Sequence, residues 1–191
     1  MMKKNLMKLA AVVCCVMIAS VFSACEKTDN PNSPNNPGKT EEKDTKPVSV
    51  EMSYKLGFCA DMLKYLDITA EYYDEAGKIK TIQVSKDSTN LSIKTKLPAK
   101  HGIRLSVKQK AGSNPPTSPN EYIAVKFLCT YRAVVLNSKD ERLKTTSDGT
   151  KSDLLFPGDT YPRWVKDKGE GLVSFLFDFD EKGDSTKINW K

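Results

Sequence analysis

One histidine, His101, stands in a chain of 191 residues. With a single imidazole, a zinc centre of the usual Cys/His kind cannot be assembled. A Ser-His-acid triad would rest on that one ring alone. The chain also lacks a glycine-rich phosphate loop and a GxSxG elbow. Cysteine is sparse: there are five, three of them within the first 25 residues. An excess of one charge is missing too. The net charge of +6 includes Lys3, Lys4 and Lys8 at the extreme N-terminus, and without those three 27 Lys and Arg face 24 Asp and Glu. That balance is interspersed along the chain, which argues against nucleic acid as a partner. These absences leave no cofactor, no metal ligand and no catalytic residue to nominate.

What is present begins with an address. A cationic start, Met1 to Lys8, runs into an apolar stretch from Leu9 to Phe22 broken only by Ser20. As a helix its 14 or so residues span roughly 21 Å, short of the roughly 30 Å core of a bilayer. The pattern is that of a secretory signal rather than a spanning helix. It ends in Phe22-Ser23-Ala24-Cys25, which resembles the bacterial lipobox, with Phe22 where Leu is usual. The resemblance implies cleavage between Ala24 and Cys25, acylation of the Cys25 thiol, and an anchor in the bacterial outer membrane. With two or three acyl chains such an anchor is stable. Cys14 and Cys15 belong to the discarded segment.

Residues 26–47 contain four prolines and no aromatic or large aliphatic side chain. Such a segment cannot bury enough apolar surface to offset the entropy of ordering, so a flexible tether is expected, about 25 Å long on average. Glu26 and Asp29 close behind the lipobox, with Lys27 between them, resemble in part the surface-export signal of Bacteroidota-type lipoproteins. That resemblance favours the cell surface over the periplasmic face. The expected organisation is therefore a signal peptide over 1–24, a lipidated cysteine and tether over 25–47, and one domain over 48–191.

The domain reads as strands. Val48, Val50, Met52, Tyr54, Leu56 and Phe58 alternate with polar residues, as do Leu66, Ile68, Ala70 and Tyr72. Leu91, Ile93, Thr95 and Leu97 repeat the pattern, then Ile103, Leu105 and Val107, then a long run from Tyr122 to Leu136, then Val173, Phe175, Phe177 and Phe179. Period two marks a strand with one buried face. Asp74-Glu75-Ala76-Gly77 and Asp180-Glu181-Lys182-Gly183 supply two hairpin turns closed by a left-handed glycine. About eight such strands predict an all-β fold, an antiparallel sandwich, with an immunoglobulin-like order as the nearest expectation. One short helix is expected over Ala60 to Tyr65. The polar stretch from Asn137 to Gly171 reads as elaborated loop. Cys59 and Cys129 are either a bridge between facing sheets, which the oxidising compartment favours, or, at Cys129, a buried thiol. The segment 61–84 resembles uncharacterised β-sandwich lipoproteins of Bacteroidota, a likeness that implies fold and location but no activity.

Chemistry is scarce. His101, in Pro98-Ala-Lys-His-Gly102, reads as an exposed turn residue. Asp178, Asp180 and Asp184 around Gly183 resemble a calcium loop only until Lys182 falls where an oxygen ligand is wanted. The carboxylate pairs Asp178/Asp180 and Asp153/Asp159 are the sole, unselective basis for a hydrolase. The best candidate for binding is Tyr161, Arg163 and Trp164, read as a loop at the rim of the sandwich that stacks on a sugar or anchors a protein. The alternative is that these rings fold back over one end of the core. The expectation is thus a non-enzymatic, membrane-anchored envelope lipoprotein that binds a glycan or an envelope protein. The alternatives are a structural subunit offering a sheet edge for strand addition, or a hydrolase.

Overall fold

The computed structural model describes residues 44–190. The expected signal segment, its cleavage site and Cys25 lie outside the described residues, as does all of the expected tether before Asp44. In chain order the elements are β1 (Ser49–Phe58), α1 (Ala60–Tyr65), β2 (Leu66–Tyr73), β3 (Ile79–Val84), β4 (Ser88–Lys96), β5 (Ala99–Gln109), β6 (Tyr122–Leu136), β7 (Arg142–Pro157), α2 (Tyr161–Lys168), β8 (Val173–Phe179) and β9 (Ser185–Lys187). Two wholly antiparallel sheets result, ordered β4-β1-β6-β7 and β3-β2-β5-β8-β9. The alternating residues meet between them. Val50, Met52, Tyr54 and Leu56 of β1 and Ile123, Val125 and Cys129 of β6 face Ile68, Ala70, Ile103, Leu105, Phe175 and Phe177 of the other sheet. The all-β sandwich read from period two is the fold.

Its strand order departs from the immunoglobulin pattern at the start of the chain. In that arrangement the first two strands share a sheet, whereas β1 and β2 lie in opposite sheets. The reason is α1. Met62 is fully buried and Asp61 Oδ2 accepts the Ala124 N–H at 2.8 Å, so the helix plugs the end of the sandwich and carries the chain across it.

Three hairpin turns share one construction. Asp74 Oδ1 accepts the N–H groups of Ala76 and Lys78, and Asp180 Oδ1 those of Lys182 and Asp184. Gly77 and Gly183 supply the left-handed residue, with φ of 70° and 69°. The third turn, 137–141, joins β6 to β7: Asn137 Oδ1 accepts from Lys139 and Glu141, and Asp140 takes the left-handed place at φ 62°. Aspartate tolerates that conformation. Beyond this turn the expected loop over 137–171 is instead β7 and α2.

The chain joins the domain at this third turn. Asp44 Oδ2 accepts the Ser138 hydroxyl at 2.6 Å, and its carbonyl accepts Asn137 Nδ2 at 2.7 Å. Asn137 is buried and also donates to Glu141 Oε2. The folded unit therefore reaches back to residue 44, four residues before the expected boundary at 48.

Candidate functional site

The loop proposed to carry Tyr161, Arg163 and Trp164 is a helix. Pro162 sits in its first turn and Lys166 and Lys168 in its last, the placement helix termini favour. Tyr161, Trp164 and Val165 fall on one face and turn it inward. Tyr161 is fully buried, its ring centroid 6.0 Å from that of Trp164, which in turn lies 5.5 Å from Phe156. Burial pushes the Tyr161 hydroxyl well above its ordinary pKa, and the hydroxyl has no hydrogen-bond partner among the described residues. Arg163 alone faces solvent, 3.8 Å from Asp167. The expected binding loop is thus corrected to a lid on one end of the core, with Tyr161 closed to any ligand.

The other candidates are absorbed into the fold. Cys59 and Cys129 are both free thiols, which corrects the proposed bridge. They do not face each other across the sheets. Cys59 follows β1 with its N–H on the Lys126 carbonyl, three residues along β6 from Cys129, or about 10 Å at strand rise, beyond the reach of a disulfide. Cys59 Sγ instead donates to the Ala124 carbonyl at 3.3 Å, and burial pushes the Cys129 thiol up to about 12. His101 lies in β5, fully buried, with Nε2 2.6 Å from Thr95 Oγ1. Burial pushes its pKa down to about 4. Asp180 braces its own turn, Asp184 is held by Lys144 at 2.6 Å and Asp153 by Lys126 at 2.7 Å. Among the described residues no group of three His, Cys, Asp or Glu is placed to hold a metal ion.

The feature that stands out is β7. It is the longest strand, 16 residues, and it pairs on one side only, with β6. Because Lys126 O and Leu136 O face β1, the even-numbered residues of β6 bond to β1 and the odd-numbered ones to β7. The register Val125↔Leu154 and Cys129↔Thr150 then turns the even residues of β7 inward. Thr145, Ser147, Gly149, Lys151, Asp153 and Leu155 direct their N–H and C=O groups off the sheet. The Gly149 N–H is covered by the Asp148 carboxylate at 2.7 Å. β9 opposite has three residues, too few to shield the strand, so nearly every residue of β7 is at least partly exposed on both faces.

The far end of this edge is apolar. Leu154 and Leu155 are 51% and 62% exposed, and Tyr122, on the strand beside them, 60%. They sit where β6 begins and β7 ends, opposite the 137–141 turn where Asp44 is held. Solvent-exposed apolar side chains grouped on an unpaired strand mark an interaction surface.

Two shallow troughs lie on the outer sheet faces. One of about 620 Å³ runs over Ser53, Ser92, Thr130 and Ser147 between Lys55 and Arg132. It presents hydroxyls and cations but no exposed ring. The other, of about 610 Å³, is lined by Glu71 and Arg104, which occupy one another, Nε to Oε2 at 2.7 Å. No family model, curated protein or solved structure matches the chain.

Proposed function

We propose that the protein is a non-enzymatic, lipid-anchored protein of the bacterial outer membrane whose domain binds a protein partner along the free edge of β7. The observation that carries this reading is the edge itself: 16 residues long, paired on one side, exposed on both faces and apolar at one end. An extended segment added there gains backbone hydrogen bonds for affinity and side-chain contacts for selection. Lys144, Asp148, Lys151 and Asp153 along it discourage indiscriminate pairing, as charges on natural edge strands do. A protein is favoured over a glycan because the rings assigned to sugar stacking are used by the core.

The anchoring rests on the sequence: the signal segment and the lipobox-like Ser23-Ala24-Cys25. No helix among the described residues is long and apolar enough to cross a membrane. The tether would reach the domain at residue 44, at the end of the β6–β7 hairpin opposite the apolar end of β7. Display is tested by protease treatment of intact and lysed cells, where cleavage before lysis is the expected result. Protection until lysis would refute the surface position. The edge is tested by a photo-cross-linking amino acid placed at Ser147, with Lys55, two strands away on the same sheet, as control. Adducts from Ser147 alone are expected; equal labelling, or none from Ser147, would refute edge binding.

A further inference from the structure

We infer that the strand taken up by β7 is the β7 edge of a second copy of this chain. The inference rests on the edge-binding reading above and names its partner.

The argument is one of register. The bulge between Val135 and Leu136 disturbs the first residues of β7, and from Lys144 to Phe156 its pairing is regular. The midpoint of that stretch is Thr150. An antiparallel pair related by a two-fold axis at Thr150 sets Lys144 against Phe156 of the second copy, Thr145 against Leu155 and Thr146 against Leu154. Ser147 then faces Asp153, and Asp148 faces Ser152. Each carboxylate meets a hydroxyl, each exposed leucine a threonine methyl, and the lysine an aromatic ring; such cross-strand pairs stabilise a sheet. No like charges are opposed. Long overlaps centred on Asp148, Lys151 or Asp153 would instead set a charge against its own copy.

Backbone geometry agrees. In this register Thr145, Ser147, Gly149, Lys151, Asp153 and Leu155, whose N–H and C=O groups face off the edge, pair among themselves. That makes about twelve intermolecular hydrogen bonds, two for each pair of facing residues, within the range of a specific protein interface. The Asp148 carboxylate gives up the Gly149 N–H to the new ladder and comes to face Ser152 of the second copy, whose hydroxyl keeps its bond to the Val125 carbonyl. The two four-stranded sheets become one of eight strands, and the two points where the tether would join lie at opposite ends of the pair.

Ser152 provides a test whose sign depends on the register. Its hydroxyl donates to the Val125 carbonyl at 3.1 Å, a bond lost equally in Ser152→Lys and Ser152→Asp, so the two variants are matched in folding. Facing Asp148 of the second copy, the lysine attracts and the aspartate repels, twice by symmetry. Sedimentation equilibrium is run at low salt on the chain from residue 25 onward carrying Cys25→Ser. A dimer is expected, tightened by Ser152→Lys and weakened by Ser152→Asp, each by roughly 2- to 30-fold. Equal shifts in the same direction would overturn the register. A wild-type chain that stays monomeric to roughly 1 mM, the effective concentration tethering provides, would overturn self-pairing. If Ser147 still cross-links to another protein, edge binding survives that result; if it does not, both readings fall.

Discussion

Replacing Tyr161 and Tyr122 in turn separates the core from the interaction surface. Tyr161 is wholly enclosed beneath α2, against Trp164, so truncation to alanine removes a buried aromatic ring and leaves a cavity. Substitutions of that kind cost about 3–5 kcal/mol. For a domain of this size each kcal/mol lowers the melting temperature by about 2–4 °C, so Tyr161→Ala is expected to melt roughly 10 °C early. The hydroxyl contributes nothing to this loss, because it is buried without a partner. Tyr161→Phe keeps the ring, removes the desolvated oxygen, and is expected to be at least as stable as the parent. Tyr122→Ala, at 60% exposure, is expected to leave stability within about 0.5 kcal/mol while reducing the Ser147 cross-link. Urea unfolding of the three variants, read by tryptophan fluorescence, makes the comparison. A Tyr161→Ala protein as stable as the parent would refute the placement of that ring in the core.

Two further expectations concern buried groups. The His101 imidazole, with a pKa of about 4 in the fold against 6.5 ordinarily, is neutral in both states above pH 6.5 and is protonated preferentially in the unfolded chain below it. Stability is therefore lost as pH falls from 6.5 toward 4, by roughly 3 kcal/mol, and levels off below. His101→Gln should flatten the melting temperature over that range, and an unchanged pH profile in the variant would assign the loss elsewhere. For the thiols, intact-mass measurement of the native, unreduced protein should find no bridge between Cys59 and Cys129. Cys129, buried and with its thiol at about 12, should resist maleimide until the protein is unfolded.

The sandwich was legible because most strands bury one face, and burial on one face writes period two into the residues. β7 was illegible for the same reason. At the end of its sheet, opposite a three-residue strand, it buries neither face, so its polar residues carry no alternation and resemble loop. Two local signals in the sequence do mark these elements. Tyr161, Trp164 and Val165 have the three- and four-residue spacing of a helix face, with Pro162 in the first turn. The third turn repeats the other two with aspartate in place of glycine. Pro98 and Gly102 resemble a turn and so hide the strand that carries His101. Gly102 is in fact a point of close approach in β5, where a Cβ would lie 2.5 Å from the Phe175 carbonyl oxygen. The free edge is a relation between strands distant in sequence, and no short motif encodes it.

The clasp on Asp44 has a mechanical side. A pull transmitted along the preceding chain arrives at Asp44 and continues into β1, which lies between β4 and β6 with a ladder on each side. The hydrogen bonds of both ladders run perpendicular to the strand, so tension along its axis loads them together, in shear. A strand pulled sideways from a sheet margin would instead lose its bonds singly, in succession. Through Ser138 and Asn137 the same clasp passes a share of the load to the turn joining β6 and β7. The strand that bears the tension is thus the one secured on both flanks, and the open margin at β7 stands two strands away from it.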